Sequence, residues 1–175
     1  MPTRQRGGST QQQTQTEGGS AFHSFLVYHT RKGRTRFVDQ VFVSRRRRRG
    51  KVGTFLLHHI CKKGPVELIA RKENSEAISM YSKVGFCVLP EKGSYPPSED
   101  ELFMRTSSYI RSRGLMEERT RGEEAPHMEE AKWGSLSQDR KRRMVDLLER
   151  EEGMSRKTAL SLIHPDDNVE FVFVY

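Results

Sequence analysis

The first twenty residues carry almost no apolar side chain, whereas from Phe22 hydrophobic positions come in two dense runs, 22–29 and 35–43, on either side of Arg31-Lys32-Gly33-Arg34. Aromatic and β-branched residues flanking a short turn that contains glycine predict an antiparallel hairpin. After five arginines and Gly50-Lys51-Val52-Gly53, apolar residues fall at 55, 56, 57, 60 and 61, a helical spacing that Gly64-Pro65 ends. Residues 66–70 read as a buried strand. Residues 74–84 read as a helix capped by Asn74 or Ser75 and ended by Gly85, and 86–89 and 101–106 as two further strands. The order ββαβαββ predicts a mixed α/β (α+β) domain over 21–107.

Beyond that domain the pattern changes. Glutamate pairs at 117–118, 123–124 and 129–130, interrupted by Gly and Pro, predict a charged linker over 108–134. Residues 138–152 then suit an amphipathic helix with Met144, Leu147 and Leu148 on one side. A shorter helix over 155–163 and a terminal strand over 169–175 follow, so 135–175 reads as a C-terminal helical extension ending in a strand. The two helices around Gly153 imitate a DNA-binding helix-turn-helix, but nothing in them marks base-reading side chains, and a helical hairpin is the simpler reading. The Gln-, Thr-, Gly- and Ser-rich leader, 1–20, buries too little surface to offset the entropy of ordering and is expected to be disordered.

Composition narrows the functional class. Hydrophobic residues make up 34% and charged residues 31% of the 175, which suits one compact domain with polar extensions. No apolar run approaches the ~20 residues of a membrane span, and the N-terminus lacks the apolar stretch of a signal peptide. These features predict a soluble protein inside the cell, cytoplasmic or nuclear. Cys61 and Cys87 sit in apolar stretches without metal-ligand spacing, so both are expected to be buried thiols, and no metal site is expected. The net charge of +8 belongs to the first part: residues 1–107 hold 19 Lys and Arg against 9 Asp and Glu, and the remainder 12 against 14. A positive field of this kind favours nucleic acid, a phosphorylated cofactor or an acidic substrate.

The chemistry is concentrated where strand, cationic loop and helix meet. Arg48-Arg49-Gly50-Lys51-Val52-Gly53 follows the second strand and opens the helix of 54–63. Free N–H groups at a helix start, together with the positive end of its dipole, bind a diphosphate well, and arginines add charge-assisted bonds. This stretch is neither a P-loop nor a Gly-x-Gly-x-x-Gly turn. One strand later comes Asn74-x2-Ala77-x3-Tyr81-x3-Gly85-Phe86. The two motifs in this order resemble the GNAT superfamily of N-acetyltransferases over about 21–106.

That resemblance implies a central, mixed, mostly antiparallel sheet with flanking helices, and acetyl-CoA as cosubstrate. It implies two central strands that splay to admit the pantetheine arm. Arg48, Arg49, Gly50, Lys51, Val52, Gly53 and Thr54 would hold the diphosphate, with Arg48 as the leading residue of the family's loop, Gly53 as its last glycine and Lys51 where its first glycine is expected. Either the loop register shifts to Gly50 or a larger side chain is tolerated at 51. Val41, Phe42 and Val43 would line the cofactor and offer a backbone N–H to the oxyanion, and Asn74 would contact the cofactor. Tyr81 would be the general acid that protonates the departing thiolate, and Asp39 a candidate base for the amine. The acceptor is an amine, on a protein or a small molecule. His58 and His59 are expected to pack or face solvent. Relatives place a strand and two helices ahead of the hairpin, where this chain has only its polar leader. Either the tail 138–175 supplies them, or a second chain does, or the domain binds cofactor without turnover. The rival class is a non-catalytic basic module that uses Arg45 to Arg49 on nucleic acid or CoA.

Overall fold

The computed structural model describes residues 21–90, 98–106, 126–163 and 169–175. The polar leader and the 108–125 part of the expected linker lie outside the described residues. The first seven elements follow the expected order: β1 (Ser24–Thr30), β2 (Arg36–Val43), α1 (Val52–Cys61), β3 (Val66–Arg71), α2 (Ser75–Val84), β4 (Phe86–Val88) and β5 (Glu101–Thr106). They are followed by β6 (Met128–Lys132), α3 (Gln138–Glu152), α4 (Arg156–Ile163) and β7 (Val169–Val174).

All seven strands join one sheet in the order β4-β5-β3-β2-β1-β7-β6. The β2–β3 pair is parallel and the other neighbours are antiparallel. Because successive side chains in a strand point to opposite faces, β1 and β7 each feed two cores. Leu26, Tyr28, Val172 and Val174 pack with α1 and α2 residues such as Leu56, Ile60 and Val84. Phe25, Val27, Phe171 and Phe173 pack with Met144, Val145, Leu148 and Ala159 of α3 and α4. A fully withdrawn Phe or Leu side chain contributes about 1.5–3 kcal/mol, so the second core is a principal source of stability.

Residues 126–175 therefore supply two of the seven strands of the sheet. β7 pairs with β1 from Ser24↔Val174 to His29↔Val169, and the His23 N–H donates to the Val174 carbonyl at 2.9 Å. Behind the hairpin in the chain, α3 and α4 pack on the sheet against β7 and β1.

Two expectations are corrected. The described end of the expected linker holds the strand β6, because its charges belong to a sheet edge. Glu129 takes both Arg140 nitrogens at 2.7 and 2.8 Å and the Tyr175 hydroxyl at 2.7 Å, while Glu130 takes His59 at 2.5 Å as well as Lys63. Cys61 is buried but Cys87 is exposed. β4 is a three-residue edge strand whose alternation sends Phe86 inward and Cys87 out. Of the two histidines of α1, His58 is buried and His59 is partly exposed in its pair with Glu130.

Candidate active site

The site is built around a parting of strands. β2 and β3 pair only at Arg36↔Val66, Phe37↔Glu67 and Val38↔Leu68, although β2 continues to Val43 and β3 to Arg71. The cause lies one strand away. Against β1 the register passes from Tyr28↔Val38 to Val27↔Gln40, which leaves Asp39 as the extra residue of a β-bulge. A bulge bends its strand and raises its twist, and here it turns the Val41 to Val43 half of β2 away from β3. The opening expected between two central strands is therefore present, flanked by Val41 and Val43, which pack against the first core together with Ile78, Met80 and Tyr81 of α2.

At the carboxyl end of β2 the chain makes a tight loop. Ser44 accepts the Arg47 and Arg48 N–H groups at 2.8 and 3.0 Å, and the Gly50 N–H returns to the Arg47 carbonyl at 3.1 Å. Arg49 and Lys51 take positive φ, 73° and 58°, whereas Gly50 is not among the positive-φ residues. Lys51 itself adopts the left-handed conformation that glycine prefers. Lys51 is the N-cap of α1, and no side chain caps that helix. The first-turn N–H groups of Val52, Gly53 and Thr54 are thus directed to the helix end, the arrangement that attracts an anion.

Gly53 has a separate reason to be small. A Cβ there would lie 2.7 Å from Met80 Sδ and 3.4 Å from a Val43 methyl, so its bare Cα lets α1 approach α2 and β2. Among the loop arginines, Arg48 Nε donates to the Val43 carbonyl at 3.1 Å and its Nη2 pairs with Glu152 of α3. Arg45 is held by Glu151, and all five arginines are exposed.

Tyr81 lies on the inner side of α2, where its ring packs 5.9 Å from Phe86. Burial pushes its phenol up from the ordinary tyrosine range, so it is protonated at neutral pH. Asn74 caps α2: its side-chain oxygen accepts the Ala77 N–H at 3.1 Å. Asp39 is bonded to His29 Nδ1 at 2.7 Å. His29 Nε2 in turn accepts from Arg31 Nε at 3.3 Å, and Arg31 stacks on Phe37 at 3.7 Å and reaches Glu67 at 3.8 Å. His29 and Arg31 were not singled out in the sequence, because the pairing depends on strand register. The legible signal was a histidine and an aspartate on adjacent arms of one hairpin. His29 follows Phe25 and Val27 on the α3 side of the sheet, opposite the side of Tyr81. A cavity of about 350 Å³ lies at the same end of the sheet as the arginine loop, lined by Arg71, Lys72, Glu73, Ser98, Asp100 and Glu101. Among the described residues no acidic, His or Cys cluster could hold a metal ion, and no helix is long and apolar enough to cross a membrane.

Comparison with known proteins bears on this geometry. No curated protein matches the chain. Among solved structures it is similar to Ard1 from Thermoplasma volcanium, with 27% identity over 50% of this chain and 64% of that one and a TM-score of 0.41. It is also similar to an acyl-CoA N-acyltransferase from Klebsiella pneumoniae, with 18% identity over 41% and 54% of the two chains and a TM-score of 0.37. A third similar structure is the ribosomal-protein-S18-alanine N-acetyltransferase from Escherichia coli, with 19% identity over 47% and 68% and a TM-score of 0.34. The chain thus spans less than two thirds of the first two, at 64% and 54% of their lengths. Residues 19–86 match the profile of the acetyltransferase (GNAT) family. That segment runs from the polar leader through the arginine loop and Tyr81 to Phe86, so the likeness to the acetyltransferase (GNAT) family covers less than half of the chain.

Proposed function

We propose that the protein is an N-acetyltransferase that moves the acetyl group of acetyl-CoA to an amine by direct attack. The observation that supports this most is the parting of β2 from β3 beside the uncapped start of α1. In this proposal the N–H groups of Val52, Gly53 and Thr54, with the backbone of Arg49 to Lys51, receive the diphosphate. The free edge of β2 at Val41, Phe42 and Val43 receives the amide-bearing arm and offers a backbone N–H to the carbonyl oxygen as it gains charge. Asn74, at the start of α2, adds a contact from its amide nitrogen.

The amine must be neutral to attack, and the departing sulfur needs a proton. The Asp39 carboxylate, held in place by its hydrogen bond with His29, takes the proton from nitrogen. The new C–N bond forms as the C–S bond breaks, and Tyr81 supplies the proton to sulfur. Acid and base stand on opposite faces of the sheet, so amine and thioester would meet through the gap between the strands. The acceptor amine belongs to a protein or a small molecule. A hydrogen bond to the Glu151 carbonyl occupies Arg45 and an ion pair with Glu152 occupies Arg48, which leaves the arginine run less suited to a polyanion than its sequence suggests.

Acetyl-CoA at 100 times its dissociation constant should stabilise the protein by about 2.7 kcal/mol. Thiol release with a panel of amines should then identify the acceptor. Tyr81→Phe should keep its affinity for CoA and lose roughly 10²-fold or more in turnover. A protein whose melting temperature ignores acetyl-CoA, or a Tyr81→Phe variant that transfers normally, would refute the assignment.

A further inference from the structure

Resting on that proposal, the geometry points to Glu151, at the end of α3, as the positioning residue of the cofactor loop. One Glu151 oxygen accepts the Arg45 backbone N–H at 2.8 Å and the other accepts the Ser44 hydroxyl at 3.4 Å. The Glu151 carbonyl accepts Arg45 Nη2 at 2.5 Å, and Glu152 beside it holds Arg48. These contacts join residues more than a hundred positions apart in the chain.

Ser44 is where the loop is fixed. It is buried, its N–H donates to Ser24 Oγ at 3.3 Å, and its carbonyl accepts both Arg47 and Arg48. Downstream, Arg49 and Lys51 occupy left-handed conformations that oppose their side chains. Such geometry persists only where the surroundings over-determine it. The Glu151 carboxylate, with only 15% of its side chain exposed, provides that constraint at the loop's root. The negative end of α3 adds attraction for Arg45 and Arg48. α3 thus serves the acetyl-donor site as well as the second core: it holds the loop so that the first turn of α1 faces the diphosphate.

Charge alone predicts the opposite effect, since a carboxylate near an anion site weakens anion binding. The sign of a substitution therefore decides between the two. Calorimetric titration with CoA should show Glu151→Ala binding about tenfold more weakly than the original protein. Glu151→Gln, which keeps an acceptor oxygen for the Arg45 N–H, should stay within about threefold. Limited trypsin digestion reads the loop without any ligand: the bonds after Arg45 to Arg49 should be cut several-fold faster in Glu151→Ala and at the original rate in Glu151→Gln. If Glu151→Ala does not fold, Glu151→Asp, one methylene too short to reach, replaces it in both measurements. Unchanged or tighter CoA binding with unchanged cleavage would overturn the assignment. A parent protein that ignores CoA while the variant is cut faster would instead remove the acetyltransferase reading and leave the positioning role standing.

Discussion

Phe173→Ala tests whether the C-terminal segment shares one cooperative core with the family-matching domain. The Phe173 ring is fully buried, 4.6 Å from Phe22 and 6.5 Å from Phe25 at the start of the chain, and stacks 5.9 Å from Phe171. Removing a phenyl ring from such a site forfeits its transfer energy and leaves a cavity, together about 3–5 kcal/mol. For a chain of this size each kcal/mol shifts the midpoint by about 2–4 °C, so the melting temperature should fall by roughly 6–20 °C. Two probes read the two halves. Trp133, the single tryptophan, lies 5.8 Å from Phe171 and reports β7 by fluorescence. Cys61, buried in α1, reports the first core by thiol labelling in a Cys87→Ser background. Both transitions should move together. If Trp133 melts early while Cys61 stays protected to the original temperature, the halves unfold independently and the shared-core account fails.

Two further substitutions test local energetics. Lys51→Gly removes a side chain from a residue at φ 58° and should raise stability by about 0.5–1 kcal/mol, measured by urea denaturation; a loss would mean that the Lys51 side chain contributes more than its backbone costs. The Glu129 carboxyl is held down to about 2, first by its hydrogen bonds with Arg140 and then by the Tyr175 hydroxyl. Because this folded value lies below the ordinary 4.5, the stabilisation is fully present above about pH 4.5 and fades as pH falls toward 2. Its side chain is 41% exposed, so Glu129→Gln should cost only about 1 kcal/mol at pH 7, with the difference closing by about pH 2. A cost independent of pH would show that shape rather than charge is lost.

The sequence by itself determined the local elements and their punctuation. Asn74 caps α2 and Gly85 ends it in left-handed conformation, as their residue types require. It also determined that a cationic loop opens α1 and that Tyr81 falls within the next helix, because periodicity within a dozen residues is enough to show both. Only the tertiary structure decided which strands become neighbours. The run Val169-Glu-Phe-Val-Phe-Val174 is apolar on both faces, a property of a central strand, yet nothing local names β1 as its partner. The bulge at Asp39, the parting of β2 from β3, the His29–Asp39 pair and the Glu151 anchor all arise from register and from contacts distant in sequence. Charge patterning misled at β6 for the same reason: glutamates that suit a solvated linker equally suit a sheet edge once Arg140, His59 and Lys63 are brought beside them. Pairing is chosen by the surface that can be buried across the whole chain, and that sum is not written in any single window of it.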